Sequence, residues 1–391
     1  MKYRLLALLS LSVIAVFFIT TSAQAEWDKG VQCFKAKDYK CAETEFKQVI
    51  ELNPEHYAGY YMMGLTLVEM QKITDAEKNF LSALKYAPKD YGSNFHLALI
   101  YGKKKDSAKV IQYTSQALAA DKISQNERGF ALKLRAEAYM KSQKYDKAEK
   151  DLSDAMRLLP IDEDLVYLSG VNAYSLRKYD TAYQYLNQTY GKKGGNGTHA
   201  LLLMDSANQT RNYQKAREIG ETFANKGTKD ESILSQLAIS YLALNDYSQA
   251  IATLKKLPDK SFKYMQLSQA YVSTKDWIAA EKLLLEWKQK EPKNSKCQEL
   301  LGHVYINTKR PYEALEAFKT GQSLANANEK ARFQPLIDNA KEYIEKVLGE
   351  TVKEVKEHEQ KEKERTTKEE DIEKKDTPKQ ENNTTENKKK S

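Results

Sequence analysis

The stretch that decides the fold is residues 57–90, YAGYYMMGLTLVEMQKITDAEKNFLSALKYAPKD. In it a small residue, Gly64, is followed twelve positions later by Ala76 and sixteen positions later by Phe80, and Pro88 lies near its end. Small side chains let two short antiparallel helices approach closely, a large apolar side chain fills the space beside them, and proline stops the second helix. The stretch therefore predicts a helical hairpin closed by a tight turn.

The same pattern recurs along the chain with a period of about 34 residues. In each clear copy a small residue is followed twelve positions later by alanine and sixteen positions later by a large apolar residue. One copy could arise by chance in an alanine-rich hairpin, so the inference depends on the recurrence. The six clear copies start at Gly30, Gly64, Ala136, Gly170, Ser268 and Gly302.

This pattern resembles the tetratricopeptide repeat family over roughly residues 23–328. The resemblance implies an all-α fold: a right-handed α-solenoid of about nine helical hairpins, with a C-terminal capping helix and a disordered charged tail. The composition agrees, because 30% of the 391 residues are charged and only 16 are glycine. Such a composition suits stacked helices better than a β-rich fold.

Composition also divides the chain into segments. Four glycines between residues 191 and 197 disfavour helix and predict a break in the stack. Beyond residue 349 Lys and Glu dominate, which predicts a coiled coil or a disordered tail. The predicted segments are a signal peptide (1–25), a stack of repeats one to five (26–196), a stack of repeats six to nine in which six and seven are degenerate (197–328), a capping helix (329–349) and a charged tail (350–391).

The first 25 residues are typical of a secretory signal. Lys2 and Arg4 precede an apolar run at residues 5–19, and Ala23 and Ala25 form a small-x-small cleavage motif. The alternative is an uncleaved anchor in the inner membrane, with the remainder facing the periplasm. Because similar repeat proteins behind a short signal are found in bacterial envelopes, we expect a periplasmic protein.

The formal net charge of +8 belongs mainly to the repeats, since the segment after residue 349 holds 12 Lys and Arg against 13 Asp and Glu. This excess indicates either attraction to anionic partners or an ordinary solvated surface. We expect no nucleic-acid partner, because an exported protein would not normally meet nucleic acid. Membrane contact is expected only through an uncleaved signal.

The three cysteines raise the question of a disulfide. Cys33 lies late in the first predicted helix and Cys41 early in the second, so the turn brings them near each other. A bond there would staple the first hairpin, but two unpaired small side chains fit the sequence equally well. Cys297 is left over.

No sequence motif for catalysis is present. The five histidines lie far apart in different repeats, no metal-ligand spacing appears, and no phosphate-binding loop or nucleophile elbow is found. We therefore predict a protein that is not an enzyme and that needs no cofactor or metal.

The resemblance implies a binding surface instead. In the tetratricopeptide family the first-helix side chains at positions two, five, nine and twelve of each repeat line a groove that holds peptides. The alternative for each side chain is packing against the next repeat. The predicted partner-binding residues are Trp27, Phe34, Tyr61, Leu65, Phe95, Leu99, Phe130, Lys133, Tyr167 and Tyr174.

Two functions follow from these observations. The first is a non-enzymatic scaffold or adaptor of the bacterial cell envelope that holds a peptide segment or a protein partner during complex assembly. The alternative is an accessory factor of envelope polysaccharide or peptidoglycan metabolism that binds a glycan or a glycan-active enzyme. The sequence predicts neither the partner's identity nor the oligomeric state.

Overall fold

A computed structural model describes residues 21–160, 162–191, 197–348 and 358–363. Within these ranges the chain forms nineteen helices of eight or more residues and no strand, which confirms the all-helical prediction. The helices are α1 (Thr21–Lys35), α2 (Tyr39–Leu52), α3 (Tyr57–Glu69), α4 (Ile73–Tyr86), α5 (Tyr91–Lys103), α6 (Ser107–Leu118), α7 (Gln125–Lys141), α8 (Tyr145–Leu158), α9 (Glu163–Ser175), α10 (Tyr179–Thr189), α11 (Gly197–Gln209), α12 (Tyr213–Asn225), α13 (Glu231–Ala243), α14 (Tyr247–Leu254), α15 (Ser261–Ser273), α16 (Trp277–Lys290), α17 (Ser295–Asn307), α18 (Pro311–Leu324) and α19 (Ala327–Leu348).

The chain divides into two compact units, Met1–Lys226 and Gly227–Ser391. In the first, α1 to α12 pair into six hairpins, and each helix packs against the next one along the chain. In the second, α13 to α18 form three hairpins and α19 packs on α18. The sequence placed its break between 196 and 197, whereas the structure keeps α11 in the first unit because it packs against both α9 and α10.

The small residues of the repeat pattern lie where the two helices of a hairpin meet. Ala76 is fully buried, and a Cβ atom added at Gly64 would lie only 2.6 Å from the Phe80 ring. At Gly302 the corresponding distance to Phe318 would be 2.3 Å. Because a side chain cannot fit at such distances, the small residues of the pattern allow the paired helices to pack closely.

Every hairpin in the described part of the chain turns through a residue in the left-handed conformation. After α3, Gln71 has φ 62°, its amide donates to the Val68 carbonyl, and the Lys72 amide donates back to the Leu67 carbonyl. These bonds satisfy carbonyls that the helix end would otherwise leave unpaired. The nine such residues are Lys37, Gln71, Lys105, Gln143, Arg177, Arg211, Asn245, Lys275 and Lys309.

One connection departs from the repeat. Helix α6 ends at Leu118, and residues 119–124 separate it from α7. Ser124 then starts α7 with a capping box, in which its hydroxyl accepts from the Glu127 amide and the Glu127 carboxylate accepts from the Ser124 amide. The register of the following repeats shifts by four because α7 has 17 residues, whereas α5 and α9 have 13 each.

The C-terminal helix caps the last hairpin. Phe333 of α19 is fully buried against Gly321 of α18, where an added Cβ would lie 2.4 Å from the ring. Pro335 lies inside α19, eight residues after its start. Burial of one apolar face against α18 holds this helix together across the proline.

Most of the charged tail lies outside the described residues, but residues 358–363 are helical. The Glu359 carboxylate lies 2.7 Å from the Lys319 ammonium of α18, and the His358 ring stacks on Tyr312 at a centroid distance of 4.4 Å. Composition predicted a coiled coil or a disordered tail. Residues 358–363 form a short helix that contacts α18 through this ion pair and this ring stack.

The predicted signal peptide lies outside the described residues up to residue 20, and residues 21–25 belong to the start of α1. Among the described helices, none is both long enough and apolar enough to cross a bilayer.

Candidate functional site

The first hairpin carries a disulfide. Cys33 near the end of α1 is bonded to Cys41 at the start of α2, and the two Cα atoms are 5.7 Å apart. Phe34, one of the predicted binding residues, lies beside this bond with its half-buried ring packed edge-on against Tyr39. The bond therefore joins the two helices of the hairpin next to the turn that connects them.

Four predicted binding residues lie inside the stack. Trp27 is 7% exposed, and Tyr61, Leu65 and Phe95 are each 3% exposed. The Tyr61 ring fits against Gly92 of the next hairpin, where an added Cβ would lie 2.6 Å away. Burial between neighbouring hairpins leaves these side chains little surface to offer to a partner.

Two further predicted residues, Leu99 and Phe130, lie at the edge of the same packing layer. Both are half-buried and contact the cluster that includes Phe95. The neighbouring Tyr91 stacks on Phe95, with ring centroids 5.4 Å apart, and its hydroxyl donates to the Glu127 carbonyl of α7. The layer thus joins α5 to α7 and leaves the outer parts of Leu99 and Phe130 exposed.

Lys133 is occupied within the fold. Its side chain is 10% exposed, and its ammonium lies 3.2 Å from the Asp162 carboxylate. Asp162 also caps α9 by accepting from the Leu165 amide. This ion pair ties α7 to the start of α9 and leaves little of the Lys133 side chain for a partner to contact.

The last two predicted residues, Tyr167 and Tyr174 of α9, are half-buried. The Tyr167 ring contacts His199 of α11 at 4.8 Å between centroids. The Tyr174 hydroxyl donates to the Asp205 carboxylate of α11, and burial with this carboxylate raises the pKa of Tyr174. Both tyrosines therefore lie where α9 meets α11.

The first helices of neighbouring hairpins contact one another, α7 with α9 and α9 with α11. They carry one continuous surface, which we call the inner face and define by the half-buried side chains of Leu99, Phe130, Glu137, Tyr167 and Tyr174. Of the predicted residues, the structure brings four to this face.

The inner face carries carboxylates that we did not select from the sequence. Burial raises the pKa of Glu137, Asp164 raises it further, and Lys133 and Lys141 act in the opposite direction. Glu137 and Asp205 occupy the ninth position of repeats four and six, and Asp164 the second position of repeat five. These carboxylates therefore lie at the same repeat positions as the predicted binding residues.

No catalytic constellation is visible among the described residues. Within them no group of three or more His, Cys, Asp and Glu is arranged to hold a metal ion. His96 stacks on Phe80 at 5.3 Å, and burial lowers its pKa to about 4. Burial raises the pKa of Cys297 to about 12, and its thiol donates to the Leu284 carbonyl. These groups serve the packing of the hairpins.

Comparisons with known proteins agree with this architecture. Two family models described as tetratricopeptide repeat match residues 61–122 and 295–328. A curated relative, anaphase-promoting complex subunit 3 of Schizosaccharomyces pombe, is 22% identical over 165 residues, or 42% of this chain and 24% of that protein. The match thus spans about a quarter of the relative's length.

Solved structures of helical repeat proteins are also similar. The pilF protein of Pseudomonas aeruginosa is 15% identical, with a TM-score of 0.43 and coverage of 52% of this chain and 90% of that one. Yeast Tom70 is 13% identical, with a TM-score of 0.38 and coverage of 84% and 99%. At these scores we base no functional argument on either structure.

Proposed function

This chain is a tetratricopeptide repeat protein, and from that premise we propose that it is a non-enzymatic scaffold of the bacterial cell envelope that holds a peptide segment or a partner protein on its inner face. The observation that carries the proposal is the continuous surface of α5, α7 and α9, with half-buried Leu99, Phe130, Tyr167 and Tyr174 on successive helices. Proteins of this fold bind protein partners in general.

The chemistry of the inner face favours a peptide. Phe130, Tyr167 and Tyr174 offer rigid rings whose inner edges are already packed, so ordering them on binding costs little entropy. Glu137 and Asp205 provide carboxylates that can accept hydrogen bonds from backbone amides. An extended segment with apolar side chains at intervals would use both kinds of group.

The envelope location rests on two observations. The sequence begins with a basic, apolar and small-residue pattern of the secretory type. The Cys33–Cys41 bond suits an oxidising compartment such as the periplasm. Mass spectrometry of the protein purified from its native cells tests export: a mature chain that begins at Glu26 supports it, and an intact Met1 in a cytoplasmic fraction contradicts it.

Photocrosslinking in the native envelope tests partner binding. A photoreactive phenylalanine derivative replaces Leu99, Phe130 or Tyr174 on the inner face, and the matched control carries it at Tyr86, which is 45% exposed on α4. We expect one recurrent protein to be trapped from the inner-face positions and not from the control. Equal trapping from Tyr86 contradicts the proposal, and retention on isolated peptidoglycan without a protein crosslink favours the glycan alternative.

A further inference from the structure

The fourth hairpin has a second concave surface on the side turned away from the inner face. A cleft of about 560 Å³ lies between the end of α6, α7 and α8. On α7 it is lined by Arg128, Leu132, Arg135 and Tyr139, which follow one another at helical spacing. The inner-face residues of the same helix, Phe130 and Glu137, are rotated from this row by about half a turn. The cleft is therefore distinct from the proposed groove.

The cleft exists because of the irregular connection before α7. Helix α6 stops at Leu118, and residues 119–124 lead away from it. The early end of α6 leaves an apolar floor of Leu118, Leu132 and Leu158 beneath the opening. The volume lies in the range of ligand-binding clefts in proteins.

The charges around this floor are mostly positive. Five basic residues and two acidic residues line the cleft. Both acids are already paired: Asp151 accepts two hydrogen bonds from Arg135, at 2.7 and 2.8 Å, and Asp154 is paired with Arg157. Burial of the first pair between α7 and α8 fixes it as part of the wall.

Three cations remain at the rim. Arg128, Lys147 and Lys150 are exposed, and no carboxylate of the described part of the chain lies within ion-pair distance of them. The Lys147 ammonium lies 5.9 Å from the centroid of the Tyr139 ring. The rim therefore carries positive charge that the fold itself does not neutralise.

We propose that this cleft binds an acidic peptide segment of a partner protein, with an apolar side chain on the leucine floor and carboxylates at Arg128, Lys147 and Lys150. An acidic peptide fits because its negative charges complement the positive charges of the rim. A free phosphate or a lipid headgroup would reach the rim but leave the leucine floor uncovered.

Fluorescence anisotropy of the full chain with a labelled Glu-Glu-Leu-Glu-Glu-Leu peptide tests the proposal. The test variant is Lys147→Glu with Lys150→Glu. The matched control is Lys40→Glu with Lys85→Glu, two exposed lysines on α2 and α4 with the same change in charge. We expect the test variant to weaken binding by about tenfold or more and the control by less than about twofold. Circular dichroism of both variants checks that the helices are intact.

Three results would overturn the proposal. Equal weakening by both variants would mean attraction to the overall charge. Unchanged binding after replacement of the peptide's leucines by serine would show that the apolar floor does not contribute to binding. Loss of binding to anionic phospholipid vesicles in the test variant, with no binding of the peptide to the native chain, would assign the cleft to lipid headgroups.

Discussion

Nine residues with φ between 57° and 64° end the first helix of the hairpins in the described ranges, and none of them is glycine. The left-handed conformation costs a residue with a Cβ about 1–2 kcal/mol, which the turn's own hydrogen bonds offset. The turn therefore constrains the backbone and tolerates several side chains that are not β-branched. This explains why Lys, Gln, Arg and Asn all occupy the same place in different hairpins.

Gln71 gives a direct test of this strain. Gln71→Gly should raise the free energy of unfolding by about 0.5–1 kcal/mol, and Gln71→Val should lower it by about 1 kcal/mol or more, because valine tolerates φ 62° poorly. Urea denaturation measures both. The control is Gln48→Gly, at an exposed position inside α2, which should lower stability by about 1 kcal/mol. Glycine effects of the same sign at both sites would contradict the turn geometry.

His96 predicts a dependence of stability on pH. Burial lowers its pKa from the ordinary 6.5 to about 4, so below pH 6.5 the unfolded chain binds a proton that the folded chain does not. Stability should therefore fall as the pH drops, by about 1 kcal/mol between pH 7.5 and 5.5. His56 and His303, whose pKa values are also lowered by burial, add to the same trend.

The variant His96→Phe isolates this contribution. Phenylalanine keeps the stack on Phe80 but cannot take up a proton. The urea midpoint of each protein is measured at the two pH values. The change in midpoint between them should be smaller in the variant than in the native chain. An identical pH dependence in the two proteins would show that His96 is not held neutral by burial.

At the scale of the helical elements, the hairpin is the structural unit, and the first one is specially reinforced. Helices α1 and α2 have only α3 as a following neighbour within the described residues. The disulfide between them closes a loop of eight residues. In a repeat protein each hairpin is stabilised by its interfaces with neighbouring hairpins, so a covalent link within this hairpin adds to the interface with α3.

Removing this link should destabilise the first unit. Cys33→Ser with Cys41→Ser is expected to cost roughly 2–3 kcal/mol, the loop-closure entropy of so short a loop. Urea denaturation with and without reductant measures it. Reductant should lower the midpoint of the native chain and leave that of the double variant unchanged, since Cys297 has no disulfide partner in the described part. No response of the native chain to reductant would contradict a stabilising bond.

The hairpins themselves could be predicted from the sequence because each depends on residues close together in the chain. Gly64, Ala76 and Phe80 meet within one hairpin, so their spacing is enough to predict the contact. Burial of Tyr61 depends on Gly92 in the next hairpin, and a position rule for single helices does not include that neighbour. This is why half-buried and buried aromatic residues could not be told apart.

The ion-pair partners of charged residues could be predicted only in part, because many of them lie in different hairpins. Lys133 was predicted to contact a partner, but its ammonium pairs with Asp162, which lies 29 residues away at the start of α9. Arg135 and Asp151 form a buried pair across one hairpin, at positions where the other repeats mostly hold uncharged residues. Such pairs depend on how helices face each other, which the period of the sequence does not give.

At the scale of the whole molecule, each compact unit buries its own helices, and the first unit presents two surfaces of different chemistry on its fourth hairpin. The inner face combines rings with the carboxylates of Glu137 and Asp205. The outer cleft combines leucines with the cations of Arg128, Lys147 and Lys150. We therefore propose two binding surfaces of opposite charge, the inner face for the peptide of the proposed function and the outer cleft for an acidic segment.

The measurement that tests the central claim most directly is the affinity of the crosslinked partner for inner-face variants. Tyr174→Ala should weaken binding by about tenfold or more, because it removes a ring anchored at the junction of α9 and α11. Tyr86→Ala, on the exposed side of α4, should change it by less than about twofold, and thermal unfolding of both variants checks that they are folded. Equal affinities of the two folded variants would contradict binding on the inner face.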